Sequence, residues 1–182
     1  AYYASHSWNP FFFQGTKTFA YEVCEQLGWK APDSVVLPVG NGTLLLGAFI
    51  GFTELMLSGV IAQVPRLVGV QAEACAPLYA AFQENSDRPW PVTAGHTLAE
   101  GIAIADPIRG PQILRAVRQS GGHLIIVTDE EIRASLIDMG RRGFYIEPTS
   151  AATVAGVHKY LSALPTAEII VSVVTGHGLK SM

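Results

Sequence analysis

Short apolar runs of strand length alternate with stretches of helical period along most of the chain. The apolar runs, rich in β-branched residues, span residues 34–39, 66–70, 123–127 and 168–174, with Tyr145-Ile146 as a weaker candidate. The helical stretches span residues 16–27, 43–58 and 111–119, the segment after a capping box of Thr128 and Glu131, and residues 148–164. This order predicts an α/β fold with a mainly parallel sheet and helices on both faces.

The composition indicates a globular protein and argues against a disordered or nucleic-acid-binding one. The chain has 182 residues, 49% of them hydrophobic, and a net charge of −3. Such a chain can bury a substantial core, which disordered chains cannot do. Its 12 Lys and Arg residues are scattered, which argues against a nucleic-acid partner. We therefore expect one α/β domain over residues 1–182.

Residues 34–65 contain Glu54 as their only charged residue, so this segment needs a test as a membrane span. A charged residue at the centre of a span costs about 2.5–3.5 kcal/mol on insertion scales, and Pro38 and two glycines interrupt the segment. A buried helix is the favoured interpretation. The two cysteines and five histidines lack the spacing of a disulfide framework or a metal site. We expect a cytoplasmic protein without a membrane partner or a bound metal.

The loop Gly40-Asn41-Gly42-Thr43 directly joins the first predicted strand to a helix. Glycines let backbone amides approach an anion closely, and a helix N-terminus adds free N–H groups. The loop therefore predicts a phosphate site, with an ordinary tight turn as the alternative. A P-loop is excluded because Gly47 is followed by Ala48, and Leu45 stands where a dinucleotide fingerprint needs its third glycine.

Polar residues that follow the other predicted strands have open roles. Ligands of open α/β sheets bind at the carboxyl ends of the strands, which is where these residues lie. Thr175 could bind a ligand heteroatom or close a turn, and Glu147 could line a pocket or cap the next helix. His177 is more simply a surface turn residue than a catalytic one. Glu73 is more simply a solvated carboxylate than a cation ligand.

Seven segments, in this order, resemble the carboxyl-terminal half of threonine synthases, which are pyridoxal-phosphate enzymes of the tryptophan-synthase-β fold type (fold type II). The segments are 15–22, 38–42, 69–73, 120–122, 128–132, 147–152 and 175–180. The resemblance implies the large-domain fold of fold-type-II enzymes and the cofactor pyridoxal 5'-phosphate. It also implies which residues bind that cofactor: Gly40, Asn41, Gly42, Thr43 and Leu44 at its phosphate, and Thr175 at its pyridine nitrogen. A neutral hydroxyl there would leave that nitrogen largely unprotonated.

Two departures from the family pattern concern catalysis and substrate. None of Lys17, Lys30, Lys159 and Lys180 lies in the motif of the family's Schiff-base lysine, so the catalytic residue is unassigned. We therefore expect a carboxyl-terminal fragment of a two-domain enzyme, inactive alone, with residues 1–14 at the edge of the small domain or between the domains.

The second departure lies near the amino terminus. Threonine synthases often bind the substrate phosphate with an Asn-Ser pair and an arginine. The matching positions here are His6, Ser7 and Phe12. The resemblance thus implies His6 and Ser7 as substrate-binding residues, without the bidentate clamp that an arginine provides.

The activity implied by the resemblance is that of a carbon–oxygen lyase. It would convert the small amino acid O-phospho-L-homoserine and water into L-threonine and phosphate, in a parent enzyme that is a homodimer. A threonine or serine ammonia-lyase and a cysteate- or cysteine-synthase-like β-replacement enzyme are alternatives with the same cofactor. A non-catalytic ligand-binding or dimerisation module is an alternative of another class. A dinucleotide-binding module is disfavoured by the incomplete glycine fingerprint.

Overall fold

Four parallel strands form the sheet in the computed structural model, which describes residues 1 and 3–181. The strands are β1 (Ser34–Pro38), β2 (Arg66–Ala72), β3 (His123–Val127) and β4 (Ile170–Ser172). Their spatial order is β3-β2-β1-β4, and all three pairings are parallel. The predicted α/β fold with a mainly parallel sheet is confirmed.

Helices connect the strands, as parallel pairing requires. The α-helices are α1 (Phe12–Thr16), α2 (Thr18–Gln26), α3 (Thr43–Leu57), α4 (Pro77–Gln83), α5 (Gly110–Gln119), α6 (Asp129–Arg141) and α7 (Pro148–Ala163). Three short 3₁₀ turns are η1 (Glu73–Cys75), η2 (Glu100–Ile102) and η3 (Gly178–Ser181).

The core has two layers, one on each face of the sheet. Successive side chains of a strand point to opposite faces, and β1 shows this directly. Val35 and Leu37 join the cluster formed with helices α1 to α5, whereas Val36 joins the cluster formed with α6 and α7. All three residues are fully buried. The predicted placement of helices on both faces is therefore confirmed.

Helix α3 is the apolar segment that raised the question of a membrane span. Its glycines pack against the amino-terminal helices so closely that a Cβ on Gly47 would lie 2.2 Å from Thr16 Oγ1. A Cβ on Gly51 would lie 2.4 Å from the Lys17 carbonyl oxygen. The segment is thus a core helix, as predicted. Among the described residues, none of the helices is both long and apolar enough to cross a membrane.

Helix α6 begins with the predicted capping box. The Thr128 hydroxyl accepts a hydrogen bond from the Glu131 amide at 3.3 Å, and the Glu131 carboxylate accepts one from the Thr128 amide at 2.8 Å. Burial opposes ionisation of Glu131, but hydrogen bonds from Lys159 and from the Thr128 amide outweigh burial and lower the pKa of Glu131. The capping box fixes where the chain turns from β3 into α6.

Several element boundaries differ from the sequence-based prediction. The predicted helix 16–27 is divided into α1 and α2, which meet at Lys17. Helix α4 was not predicted, because it is only seven residues long and its amphipathic period is too short to detect. Tyr145-Ile146 is not a strand: Ile146 forms one isolated antiparallel bridge with His177. The last strand is limited to residues 170–172 because it lies at the sheet edge and pairs only with β1.

Candidate active site

Two glycines of the loop after β1 pack closely against residues 101–104 and against α5. Gly42 adopts φ +73°, in the left-handed region, and a Cβ there would lie 2.3 Å from Ile113 Cδ1. A Cβ on Gly40 would lie 2.8 Å from Ile104 Cγ1 and 3.2 Å from the Gly101 carbonyl oxygen. Both glycines are therefore required by the path of the backbone.

The backbone amides of this loop are available to a ligand. The first hydrogen bond at the start of α3 runs from the Leu46 amide to the Gly42 carbonyl, at 2.9 Å. Within residues 1 and 3–181, the amides of residues 40–44 donate no hydrogen bond to another protein group. They lie at the positive end of the α3 dipole, which is a favourable site for an anion.

Two side chains from distant motifs hold this loop in place. The hydroxyl of Thr16 donates to the carbonyl of Thr43 at 3.1 Å. On the other side, the fully buried Gln71 donates to the Val39 carbonyl at 3.3 Å and accepts from the Tyr79 amide at 2.9 Å. Segments 15–22 and 69–73, which carry the family resemblance, thus support the loop without lining the cleft.

A cleft of about 720 Å³ opens above the loop at the carboxyl ends of the strands. Its polar and charged lining residues are His6, Asn41, Thr43, His96, Thr97, Glu100, Glu147, Thr149, Thr175 and Lys180, and its remaining lining includes Gly40, Gly42 and Leu44. All six residues predicted to bind the cofactor therefore line one cleft. This is the position expected for the ligand of an open α/β sheet.

Thr175 lies in a hydrogen-bond network with Glu147 and Ser150. Its hydroxyl donates to Glu147 Oε1 at 2.7 Å and lies 2.9 Å from Ser150 Oγ. Ser150 Oγ also accepts hydrogen bonds from the amides of Thr175, at 2.8 Å, and Gly176, at 3.3 Å. Ser150 is fully buried, so it anchors the exposed Thr175 to the core.

The segment that carries Thr175 is joined to the start of α7 by backbone bonds. The Glu147 amide donates to the Gly176 carbonyl at 3.0 Å, and the Gly178 amide donates to the Tyr145 carbonyl at 2.9 Å. A Cβ on Gly176 would lie 2.4 Å from Glu147 Cδ. Because residue 176 is glycine, the Glu147 carboxylate can approach Thr175 closely.

The amino-terminal segment brings only one of its two predicted substrate-binding residues to the cleft. His6 lines the cleft, whereas Ser7 is buried and is not part of its lining. The Ser7 carbonyl accepts a hydrogen bond from Arg109 Nε at 3.0 Å. Phe12 packs edge-on against His6, with ring centroids 6.0 Å apart. No arginine lines the cleft within the described part of the chain.

The structure also places the remaining candidates. Glu147 precedes α7 but its side chain makes no capping bond, and it lines the cleft instead. His177 is exposed and packs edge-on against Tyr145, outside the cleft lining. Glu73 is exposed in η1. In the described residues, no group of three or more His, Cys, Asp or Glu side chains is arranged to hold a metal ion.

Sequence reasoning missed three charged or titratable residues of the cleft: His96, Glu100 and Lys180. His96 and Glu100 belong to the irregular segment before α5, whose course no periodicity indicates. Lys180 belongs to the motif 175–180, which suggested a role only for its threonine. The position of this motif after the last strand was the signal that could have identified Lys180.

A parallel α/β sheet with unpaired amides at a helix N-terminus and a hydroxyl across the same cleft is an arrangement suited to a phosphate-bearing ligand. A family model described as "Pyridoxal-phosphate dependent enzyme" matches residues 1–176. The chain belongs to this family, whose members depend on pyridoxal 5'-phosphate.

Curated relatives of this chain are named threonine synthase. The protein from Methanocaldococcus jannaschii is 39% identical over 181 residues, which cover 98% of this chain and 45% of the relative. The protein from Mycobacterium tuberculosis H37Rv is 36% identical over 178 residues, which cover 96% of this chain and 47% of the relative. The chain thus spans about half the length of the curated relatives it matches.

Solved structures of more distant proteins share the fold. An L-serine ammonia-lyase from Rhizomucor miehei matches with a TM-score of 0.75 and 20% identity, over 93% of this chain and 53% of that one. A threonine deaminase isoform from Solanum lycopersicum matches with a TM-score of 0.73 and 22% identity, over 93% of this chain and 46% of that one. The fold of fold-type-II pyridoxal-phosphate enzymes, which the resemblance implied, is confirmed.

Proposed function

We propose that the loop of residues 40–44 binds the phosphate of pyridoxal 5'-phosphate and that Thr175 binds its pyridine nitrogen. The observation that carries this proposal is the set of amides without protein partners, which belong to residues that line the same cleft as Thr175. A phosphate dianion would accept hydrogen bonds from those amides. It would not need an arginine or lysine beside it, because the α3 dipole favours negative charge there. The residues present therefore fit the cofactor.

The other residues of the cleft would orient and enclose the cofactor and its substrate. Bound in this cleft, the cofactor would supply electron withdrawal from the bonds at the α-carbon of an amino-acid substrate. Thr43 adds a hydroxyl beside the loop amides, and Leu44 adds an apolar wall. His6 and Lys180 lie on the same lining and provide cationic or neutral donors for an anionic substrate.

For the whole protein, we infer a lyase that converts O-phospho-L-homoserine and water into L-threonine and phosphate. The support is the name shared by curated relatives at 32–39% identity over nearly the whole of this chain. The chain itself contributes the cofactor-phosphate loop, Thr175 and His6. The lysine that carries the cofactor is not assigned to any of the four lysines present here.

A threonine or serine ammonia-lyase is the second candidate, and the surroundings of His6 favour it. Phe12, at the position where an arginine is expected, packs on His6. Arg109, which contacts this segment, donates hydrogen bonds to the carbonyls of Ser7 and Trp8. A substrate without a phosphate group would need no guanidinium in this region.

The two candidates differ in the product they release. The whole protein, saturated with pyridoxal 5'-phosphate, should be assayed with O-phospho-L-homoserine, L-threonine and L-serine side by side. Release of inorganic phosphate and threonine from the first substrate supports the threonine-synthase activity. Release of ammonia from threonine or serine alone would replace it with the ammonia-lyase.

A further inference from the structure

A second cavity, of about 430 Å³, lies beside α5, and arginines make up half of its lining. The lining residues are Asp87, Arg88, Pro111, Arg115, Arg118 and Gln119. In the part of the chain that the structure describes, this cavity shares no lining residue with the cleft of the candidate active site. The function proposed above therefore leaves the cavity unexplained.

The cavity carries positive charge although the chain as a whole is negative. The chain has 12 Lys and Arg against 15 Asp and Glu, whereas the cavity has three arginines and one aspartate. Arginine is not deprotonated in proteins, so its charge is present at any working pH. The aspartate, Asp87, already forms an ion pair with Arg118 at 3.2 Å. Positive charge is therefore left over for an anion.

The loop that carries Arg88 is held in place beside α5. Arg118 Nη2 donates to the Ser86 carbonyl at 2.7 Å, and the Arg118 guanidinium lies 5.5 Å from the centre of the Phe82 ring. The Ser86 hydroxyl donates to the Arg88 carbonyl at 2.7 Å and accepts from the Arg88 amide at 3.2 Å. The backbone on this side of the cavity is thus fixed by contacts within the protein.

The other two arginines of the cavity have no partner of their own. Arg88 and Arg115 are exposed, and within residues 1 and 3–181 neither side chain forms an ion pair. Helix α5 contains no acidic residue, and Arg115 and Arg118 lie three positions apart on its surface. Like charges at this spacing are neighbours and destabilise a helix. An anion bound between them would remove that repulsion.

We propose that this cavity binds a small anion with two or more phosphate groups, held by Arg88, Arg115 and Arg118. Planar guanidinium groups offer paired N–H donors that match the oxygens of a phosphate. Small-molecule sites have volumes of about 300–1,000 Å³, and this cavity lies within that range. The inference does not rest on the proposed function, because these residues lie outside the cofactor loop.

Inorganic pyrophosphate is the probe, titrated by calorimetry into the whole protein saturated with pyridoxal 5'-phosphate. We expect one site per chain, with an affinity that falls as the ionic strength rises. Arg88→Gln and Arg115→Gln should each weaken binding about tenfold or more, the loss expected for a charged hydrogen bond. Asp87→Asn removes the acidic side chain of the cavity and should strengthen binding instead. Loss of fold cannot produce that opposite effect.

Arg133→Gln is the matched control. Arg133 is an exposed arginine of α6, which packs on the opposite face of the sheet from α5. The substitution makes the same change in net charge as Arg115→Gln, so binding that depends on the cavity should be unaffected by it. Thermal denaturation of each variant shows whether the fold is retained.

Three results would overturn the inference. The first is a wild-type protein that does not bind pyrophosphate. The second is an affinity that is the same in wild type, Arg88→Gln and Arg115→Gln. The third is an equal loss of affinity in Arg115→Gln and Arg133→Gln, because binding would then follow net charge and not the cavity. None of these results would contradict the proposed function, which the product assay tests separately.

Discussion

The carboxylate of Asp129, in the first turn of α6, accepts a hydrogen bond from the Thr97 hydroxyl at 2.6 Å. The same carboxylate accepts from the Leu98 amide at 3.1 Å. Thr97 is buried, and residues 96–98 form one wall of the cleft. A residue that follows β3 therefore holds an irregular segment in place against the candidate active site.

Asp129→Ala should loosen this wall. Hydrogen bonds to a charged group contribute about 1.5–3 kcal/mol each, so we expect the free energy of unfolding to fall by at least about 1.5–3 kcal/mol. Hydrogen exchange at the Leu98 amide should become faster. Chemical denaturation and exchange mass spectrometry measure the two effects. The control is Asp138→Ala, which removes an exposed pair with Arg142 and should cost less than about 0.5 kcal/mol. Equal losses in the two variants would contradict the anchoring role.

Gly42→Ala tests the fit of the phosphate loop. The substitution adds a Cβ at φ +73°, 2.3 Å from Ile113 Cδ1, and Ile113 is fully buried and cannot easily move. We expect a loss of about 1–3 kcal/mol in the free energy of unfolding and weaker binding of 4'-deoxypyridoxine 5'-phosphate, a cofactor analogue that cannot react with a lysine. Denaturation and isothermal titration calorimetry measure the two quantities.

Gly59→Ala is the matched control, at the other end of the same helix. Gly59 has φ +76° and no atom within 4 Å of an added Cβ. Gly59→Ala should therefore lower the free energy of unfolding only by the conformational cost of about 1–2 kcal/mol. Its affinity for the analogue should equal that of the wild type. If both variants lose the same affinity, the loop is not the binding site of the analogue's phosphate.

His123 should make stability depend on pH. Burial, and secondly the positive charge of Arg66, lower the pKa of His123 below its usual value of about 6.5. The unfolded chain therefore binds a proton more readily than the folded one, and the contribution of this histidine is present above pH 6.5 and is lost as the pH falls below it. The free energy of unfolding should decrease less between pH 7.5 and pH 5.5 in His123→Gln than in wild type.

The exposed His158 offers the control for this pH dependence. His158→Gln, the same substitution at an exposed position, shows whether a change in the slope of unfolding free energy against pH is specific to His123. A slope that is unchanged in His123→Gln, or equally reduced in both variants, would show that burial beside Arg66 and Tyr160 is not its origin.

Local signals in the sequence were enough to predict the sheet, the capping box and the position of the glycine-rich loop between β1 and α3. The strand at residues 34–39 and the Thr128–Glu131 capping box each depend on residues that lie close together in the sequence. The partners of Gln71 and Asp129 lie tens of residues away or in irregular segments, so no period or spacing indicates them. The family resemblance implied a substrate-binding role for both His6 and Ser7, but it could not indicate that Ser7 is buried outside the cleft lining.

The position of Glu147 shows the same limit at the candidate active site. From the sequence, a Glu before Pro148 could cap α7 or line a pocket. The choice depends on Gly176, which leaves space for the carboxylate, and on Ser150, which holds Thr175 beside it. These contacts connect two segments that are separated by α7 and β4.

Phe12→Arg tests the substrate assignment in the whole protein. The new guanidinium would lie next to His6, at the edge of the cleft, where it could form a bidentate pair with a substrate phosphate. We expect KM for O-phospho-L-homoserine to fall about tenfold or more, consistent with about 1.5–3 kcal/mol for a charged hydrogen bond. Steady-state kinetics measure KM, with Phe11→Arg, an exposed neighbour, as the control. Unchanged KM in Phe12→Arg would show that this position does not influence substrate choice.

A crystal structure of the whole protein with bound pyridoxal 5'-phosphate would show directly whether residues 40–44 and Thr175 bind the cofactor. We predict that the phosphate oxygens lie within about 3.2 Å of amides of residues 40–44 and that the ring nitrogen lies within hydrogen-bond distance of Thr175 Oγ1. A cofactor whose phosphate is held elsewhere, or whose ring nitrogen faces away from Thr175, would contradict the account.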